Sequence, residues 1–276
     1  MKKRVIIWVS LLGVCTTMSI ADKVDKKILV FSDSEKEMMM LDTKESFVMP
    51  PAGALANSLT KDLGDIDWSK FINSEFNPKA KLASNMDRAL LLGVKGADAY
   101  FLAISKKSSE LRDVSMSINF LLNKIRIDNR SINSNKRKSE LKELATKISK
   151  KEWAKVLVGI SKLKDDISSD FETKNRASLG LLNSVGGWLE GYRLAVEGFK
   201  TNYKADATVT LLQDSLIVYL LDRVESDEEL KKFSKKSEIV KLLTDINSIL
   251  MGVKDEMVSK LEVESLSKIL STTTVL

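Results

Sequence analysis

The sequence predicts an all-α protein, a compact bundle-like domain of about eight helices with an irregular N-terminal arm. All three prolines lie at or before position 78, so the rest of the 276 residues lacks the strongest helix breaker. Apolar residues recur there at helical spacing, and serines followed three residues later by an acid stand where helices are expected to begin. With 43% hydrophobic and 30% charged residues, the composition is that of a globular protein.

The first 21 residues have the three parts of a secretory signal peptide. Residues 2–4 are basic, residues 5–14 are almost entirely apolar, and Ser19 and Ala21 are small residues that suit cleavage after Ala21. The apolar stretch is too short to span a bilayer as a helix, which takes about 20 residues. We therefore expect an exported protein, periplasmic or secreted, whose mature chain has no transmembrane span.

Two regions are predicted in the mature chain. Residues 22–50 hold charge clusters without a sustained period and end at two prolines, which predicts an irregular arm. Residues 51–276 are expected to form a single helical domain. Its main helices are predicted near 84–106, 109–126, 136–149, 150–171, 176–201, 205–224, 236–252 and 254–270, with short helices near 52–62 and 67–72.

Local signals support these helices in order. Ser84 with Asp87, Ser149 with Glu152, and Ser226 with Glu229 have the spacing of a capping box, in which a side-chain oxygen accepts from a free N–H of the first turn. The clearest apolar face joins Ile239, Leu242, Leu243, Ile246, Ile249, Leu250 and Val253. The segments 127–135 and 201–205 are predicted loops.

A weak internal match suggests a duplication. Asp98-Ala99-Tyr100 aligns with Glu190-Gly191-Tyr192 at an offset of 92 residues, and apolar residues follow both copies. A true repeat would give two similar helical halves around a pseudo-twofold axis, because a solenoid needs three or more units.

The residue inventory excludes several chemistries. The chain has no histidine, and its single cysteine, Cys15, lies within the predicted signal peptide. A histidine general base, a histidine or thiolate metal ligand, and a cysteine nucleophile are therefore absent from the mature chain. Neither a nucleotide-binding glycine motif nor any other catalytic motif is present. We expect a protein that is not an enzyme and that needs no cofactor or metal.

One candidate ligand site lies on the two most apolar predicted helices, where glycines at positions 93, 96, 186, 187 and 191 either allow close helix packing or leave room beside aromatic rings. Its residues are Asp98, Tyr100, Trp188, Glu190, Tyr192 and Arg193. An apolar pocket there would suit a small-molecule or lipid carrier. Paired Asp98 and Glu190 would suit a histidine-free hydrolase, and the same carboxylates could form buried ion pairs with Arg88 or Arg193.

A second candidate site is the basic segment 106–151, which has 13 basic and five acidic residues. Its candidate binding residues are Lys124, Arg126, Arg130, Lys136, Arg137, Lys138 and Lys142. Such a segment can bind an anionic envelope component or protein face. Nucleic acid is not expected, because Phe120 is the segment's only aromatic residue for base stacking. The leading hypothesis is therefore a non-enzymatic binding protein for an envelope component or protein partner.

Overall fold

The computed structural model describes residues 52–74, 84–127, 130–132, 134–173, 176–254 and 256–272. These residues belong to one compact unit that runs from Pro51 to Leu276. The predicted signal peptide and N-terminal arm lie outside the described residues.

The predicted all-α fold is confirmed, and the described residues form nine α-helices. They are α1 (Ala52–Leu63), α2 (Asn85–Ile104), α3 (Ser108–Lys124), α4 (Asn135–Ser149), α5 (Trp153–Thr173), α6 (Ala177–Thr201), α7 (Asp214–Ser226), α8 (Lys236–Met251) and α9 (Lys260–Thr272). Three short 3-10 helices span Trp68–Phe71, Ala205–Leu211 and Glu229–Lys232. A two-residue antiparallel ladder pairs β1 (Arg126–Ile127) with β2 (Arg130–Ser131), from the last residue of the predicted helix 109–126 into the predicted loop 127–135.

The core is built on α2 and α6, which pack against each other along their length. Gly93 lies against the backbone of Asn183 and Gly187, and Gly186 lies against the backbone of Leu90. A Cβ on Gly93 or Gly186 would collide with these backbone atoms, so the glycines allow a helix approach that other residues would prevent. The packing interpretation of these glycines therefore holds at the contact. Gly96 differs, because a Cβ there would have open space.

Eight of the nine described helices close two similar rings. In the first, α2, α3, α4 and α5 pack in sequence and α5 returns to α2; in the second, α6, α7, α8 and α9 pack in sequence and α9 returns to α6. The first helices begin at Asn85 and Ala177, the same offset of 92 residues that the sequence match shows. This arrangement agrees with the predicted duplication, and α2 and α6 join the two rings.

One of the three predicted capping boxes forms. The Ser84 side chain accepts from the backbone N–H of Asp87, and the Asp87 carboxylate accepts from the Ser84 N–H. The prediction at Ser149 is wrong, because α4 continues through this residue and its hydroxyl donates to the carbonyl of Ala145. The prediction at Ser226 is also wrong, since this residue ends α7 and Asp227 accepts from Leu230 N–H instead.

The helix predicted over 205–224 is two elements, a 3-10 helix followed by α7. Thr208 and Thr210 are buried, and the Thr208 hydroxyl accepts from the Val258 N–H while it donates to the carbonyl of Ala205. Branched residues at 208–210 lose rotamer freedom in an α-helix, which favours the break. The last helix begins at Lys260, not near 254, because Ser259 and Glu262 cap it there.

Candidate functional site

Four charged side chains meet where α2 packs against α6, and we call them the charge tetrad: Lys95, Asp98, Glu190 and Arg193. Lys95 Nζ donates to Asp98 Oδ2 at 2.7 Å, three residues along α2. Arg193 Nε donates to Glu190 Oε2 at 2.8 Å and Arg193 Nη2 to Glu190 Oε1 at 2.5 Å, three residues along α6. Each helix therefore carries one cation–carboxylate pair, and the predicted Glu190–Arg193 ion pair is present.

The tetrad is inside the fold. Asp98 is 2% exposed and Glu190 is 3% exposed. Burial and the neighbouring Asp98 carboxylate, partly opposed by Arg193, together raise the pKa of Glu190 to about 8. The Oδ1 atom of Asp98 is buried and has no hydrogen-bond partner among the described residues. The two carboxyl groups are thus close enough to interact, and one oxygen of Asp98 has no cation or other donor among the described residues.

A short backbone segment crosses the tetrad. The carbonyl of Phe71 accepts from Arg193 Nη2 at 2.8 Å, and the carbonyl of Asn73 accepts from Lys95 Nζ at 2.7 Å. Both cations are therefore satisfied by a carboxylate and a main-chain carbonyl. This is how buried charges are normally tolerated, because their remaining donors also find partners.

Arg88, the other predicted partner of these carboxylates, lies elsewhere. Its Nη1 atom donates to Asn85 Oδ1 at 3.2 Å and to the carbonyl of Lys124 at 3.5 Å. It therefore contributes to the contact between the start of α2 and the end of α3.

The aromatic candidates are packed against other side chains. The rings of Trp188 and Tyr192 stack with centroids 5.0 Å apart. Trp188 Nε1 donates to Gln213 Oε1 at 2.7 Å, and the Tyr192 hydroxyl donates to the carbonyl of Leu211 at 3.1 Å. Burial raises the pKa of Tyr192, and Tyr100 is also buried. These contacts hold the 3-10 helix Ala205–Leu211 and the start of α7 on α6.

Arg137 does not lie on the predicted basic surface. It is 4% exposed and donates to the carbonyls of Ile132 and Asp166 and to Asp170 Oδ2. The guanidinium thereby joins the start of α4 to α5, because its planar fork can donate in several directions at once. The prediction failed because position 137 faces the core beside Leu144 and Ile148, as helical spacing places it.

One face of α4 carries both signs of charge and packs towards α5. Lys136, Glu140, Glu143 and Lys147 follow helical spacing along this face. Glu140 pairs with Lys162 of α5 at 2.9 Å, and Lys147 pairs with Glu143 at 2.8 Å. These hydrogen bonds raise the pKa of Lys162 and lower the pKa of Glu143. Lys136 also lies 3.6 Å from Asp166, so this predicted candidate faces acids.

The next exposed face of α4 carries only basic and neutral residues. Lys138, Lys142, Ala145 and Ser149 are all exposed and share one row of the helix. Neither Lys138 nor Lys142 has an acidic group within 4 Å in the described part of the chain. Arg112 Nη2 of α3 donates to Ser149 Oγ at 3.0 Å, which joins the beginning of α3 to the end of α4. The two helices are therefore antiparallel here.

The corresponding row of α3 completes a surface that we call the basic seam. Met116 in this row is 60% exposed, and Asn123 Nδ2 donates to the carbonyl of Asn119 at 2.8 Å. Asp113 of α3 stands three residues before Met116 and borders the row, whereas Glu110 falls outside it by helical spacing. The seam consists of Arg112, Met116, Asn119 and Asn123 of α3 and Lys138, Lys142, Ala145 and Ser149 of α4.

The other predicted basic residues flank the end of the seam where α3 finishes. Lys124 is exposed, and its Nζ lies 5.5 Å from the centre of the Phe120 ring. Arg126 is exposed, and its backbone exchanges hydrogen bonds with the Asn85 side chain. Arg130 lies in β2, opposite Ile127.

Three residues of the tetrad and the basic seam are not among the site residues that the sequence predicts: Lys95, Arg112 and Met116. Lys95 stands three residues before Asp98 in an apolar helix, a spacing that identifies an ion pair. Arg112 and Met116 share a row with Asn119, but only the structure shows that this row borders α4. The backbone carbonyls that cross the tetrad leave no signal in the sequence.

No group of three or more His, Cys, Asp and Glu side chains within the described ranges could hold a metal ion. Likewise, none of the helices described is both long and apolar enough to cross a membrane. In comparisons with known proteins, the chain matches no family, no curated sequence and no solved structure.

Proposed function

We propose that this chain is an exported, non-enzymatic binding protein that holds an acidic segment of a partner protein on its basic seam. The observation that carries the proposal is the separation of charge on α4. The acids of α4 face Lys136, Lys147 and Lys162, whereas Lys138 and Lys142 have no acid within reach in the described ranges. Their positive charge is therefore directed to solvent.

This arrangement favours recruitment of an anion. Lysines one helical turn apart add their potentials, and no carboxylate of the described residues lies within 4 Å of either. Arg112 extends the same surface with the guanidinium donors that its hydrogen bond to Ser149 does not use. Complementary charge of this kind accelerates association and orients the partner.

The distribution of exposed apolar residues favours a protein partner over a lipid surface. A membrane-binding face combines basic residues with several large apolar side chains. On the seam, Met116 alone is large, apolar and exposed. The other exposed large apolar side chains of the described residues lie on different elements: Val158, Val209, Val218, Met251, Met257 and Leu261.

The other functions that the sequence left open draw no support from these contacts. A carrier pocket beside Trp188 and Tyr192 would need space where the two rings stack on each other. A hydrolase would need Asp98 and Glu190 in an open cleft, whereas both are almost fully buried. The basic seam therefore supports the proposal best.

Export is part of the proposal and rests on the signal-peptide pattern of residues 1–21. Intact-mass measurement of the protein recovered from the cell envelope or medium tests it. The mass expected is that of a chain beginning at Asp22. Recovery of the uncleaved chain in the cytoplasm would contradict export, and it would leave the binding proposal to its own test.

Binding is tested with a fluorescein-labelled poly-glutamate peptide by fluorescence anisotropy at low salt. We expect the double variant Lys138→Gln, Lys142→Gln to bind at least about tenfold more weakly than wild type, equivalent to about 1.4 kcal/mol. The matched control is Lys232→Gln, Lys268→Gln, which removes the same charge from exposed positions on other elements. Equal losses in both variants would show that net charge alone matters and would contradict the proposal.

A second arm separates the two classes of partner. Vesicles of phosphatidylglycerol and phosphatidylcholine are sedimented with the wild-type protein and with both double variants. We expect little binding compared with the peptide. Binding to vesicles that depends on Lys138 and Lys142, without binding to the peptide, would replace the acidic protein by a lipid surface.

A further inference from the structure

The charge tetrad has an imbalance of hydrogen-bond donors that its protein partners do not remove. Asp98 Oδ2 accepts from Lys95, and both oxygens of Glu190 accept from Arg193. Asp98 Oδ1 is buried without a donor, and the Asp98 carboxylate is close enough to Glu190 to raise its pKa. Two ionised carboxylates in this position would repel each other in a medium that screens poorly.

We propose that Asp98 and Glu190 hold one proton between them, and that loss of this proton weakens the packing of α2 against α6. The proton makes one carboxyl a donor to the other and so satisfies the free Asp98 oxygen. It gives the tetrad one anion and two cations, with the cations also bound to the carbonyls of Phe71 and Asn73.

The location of the pair connects the proton to the whole domain. Asp98 and Glu190 lie on the two helices that join the two rings, close to the backbone contact at Gly93 and Gly187. Repulsion between the carboxylates acts directly across this contact. The segment that supplies the Phe71 and Asn73 carbonyls is bound to the same cations, so it would loosen with the helices.

The charged groups that face Glu190 are Asp98 on α2, with Lys95 behind it, and Arg193 on α6. Lys164 of α5, which packs against α6, is half-buried, and burial lowers its pKa. Several other charged side chains on the elements packed against α6 are exposed or have other partners. Among them are Asp62 of α1, Lys70 of the Trp68–Phe71 helix, Asp166 and Asp170 of α5, Asp206 of the Ala205–Leu211 helix, Asp222 and Arg223 of α7, and Glu262 and Lys268 of α9.

The expected pH dependence follows from linkage. The pKa of Glu190 is about 8 in the folded chain and near its ordinary value of 4.5 in the unfolded chain. Folding therefore takes up a proton between these values. The associated stability is complete below pH 4.5, decreases as the pH rises and is lost above about pH 8. The unfolding equilibrium constant should rise by up to tenfold per pH unit in this window.

The first test follows urea unfolding from pH 5 to pH 9 in wild type and in Glu190→Gln. The glutamine amide donates to Asp98 as the protonated carboxyl would, and it does not titrate. We expect the wild type to lose stability towards pH 8 and the variant to lose this component. An unchanged pH dependence in the variant would overturn the proposal.

The second test does not require the variants to be equally stable. The side-chain carboxyl of Glu190 is followed by carbon-13 NMR in the wild-type protein. We expect a titration midpoint near pH 8, and a lower midpoint in Asp98→Asn because the neighbouring negative charge is gone. A midpoint near pH 4.5 in the wild type would show that Glu190 is ionised at neutral pH and would overturn the proposal.

Discussion

The charge tetrad and the basic seam use the same kinds of side chain in opposite environments. In the tetrad, Lys95 is 7% exposed and donates to a carboxylate and to a carbonyl. On the seam, Lys138 and Lys142 are exposed and face no acid among the described residues. A buried cation without partners would cost several kcal/mol, so burial requires pairing. Exposure removes this requirement, and exposed unpaired lysines are free to bind a partner.

The largest effect is expected from a substitution that disrupts the contact between α2 and α6 beside the tetrad. Gly93→Ala places a Cβ against the backbone of Asn183 and Gly187, which cannot move aside as a flexible side chain can. We expect a loss of about 5 kcal/mol in the free energy of unfolding, or failure to fold. Urea or thermal unfolding monitored by circular dichroism measures this loss.

Gly96→Ala is the matched control, because it is the same substitution three residues further along α2. A Cβ at this position has open space, and alanine has a higher helix propensity than glycine. We expect a stability equal to wild type or higher by up to about 1 kcal/mol. Similar losses in the two variants would contradict the close approach of α2 and α6.

The next largest effect is expected at Arg137 and is measured against its neighbour Lys138, since the sequence predicts both residues on the same basic surface. Arg137→Met leaves Asp170 and two carbonyls without their buried donor, and we expect it to cost about 3 kcal/mol. Lys138→Met changes an exposed side chain and should alter stability by less than about 0.5 kcal/mol. Thermal unfolding measures the stability of both variants, and an equal loss of stability in the two would contradict the burial of Arg137.

These two neighbours show what the sequence could and could not predict. Helical spacing predicted most helices within two or three residues, because an apolar face must recur every three to four positions. The same spacing places position 137 on the core side with Leu144 and Ile148. Local sequence nevertheless predicts a surface position for an arginine, since the Asp166 carbonyl and the Asp170 carboxylate that help to satisfy it lie 29 and 33 residues away.

The candidate sites were predictable to different degrees. The Glu190–Arg193 pair has the i, i+3 spacing of a helical ion pair, so local sequence could predict it. The meeting of Glu190 with Asp98 depends on how α2 packs on α6. The basic seam depends on a row of α3 that becomes part of a surface only when α4 lies beside it.

A smaller effect is expected from salt, to which the charge tetrad and the basic seam should respond differently. Exposed charges are screened over about 10 Å at 0.1 M salt, whereas buried pairs are screened much less. Raising sodium chloride from about 0.05 M to 0.5 M should weaken poly-glutamate binding by about tenfold. The stability cost of Arg193→Met, measured as a difference from wild type, should change by less than about 0.5 kcal/mol. Peptide binding that does not respond to salt, together with a salt-dependent cost of Arg193→Met, would indicate that the seam is buried and that the tetrad is exposed to solvent.

The most direct test of the binding proposal measures stability and affinity in one variant, Lys138→Gln with Lys142→Gln. We expect a free energy of unfolding within about 0.5 kcal/mol of wild type and a dissociation constant for the poly-glutamate peptide at least about tenfold higher. Unchanged affinity would contradict the proposed function. A large loss of stability would contradict the conclusion that these lysines are not needed for folding.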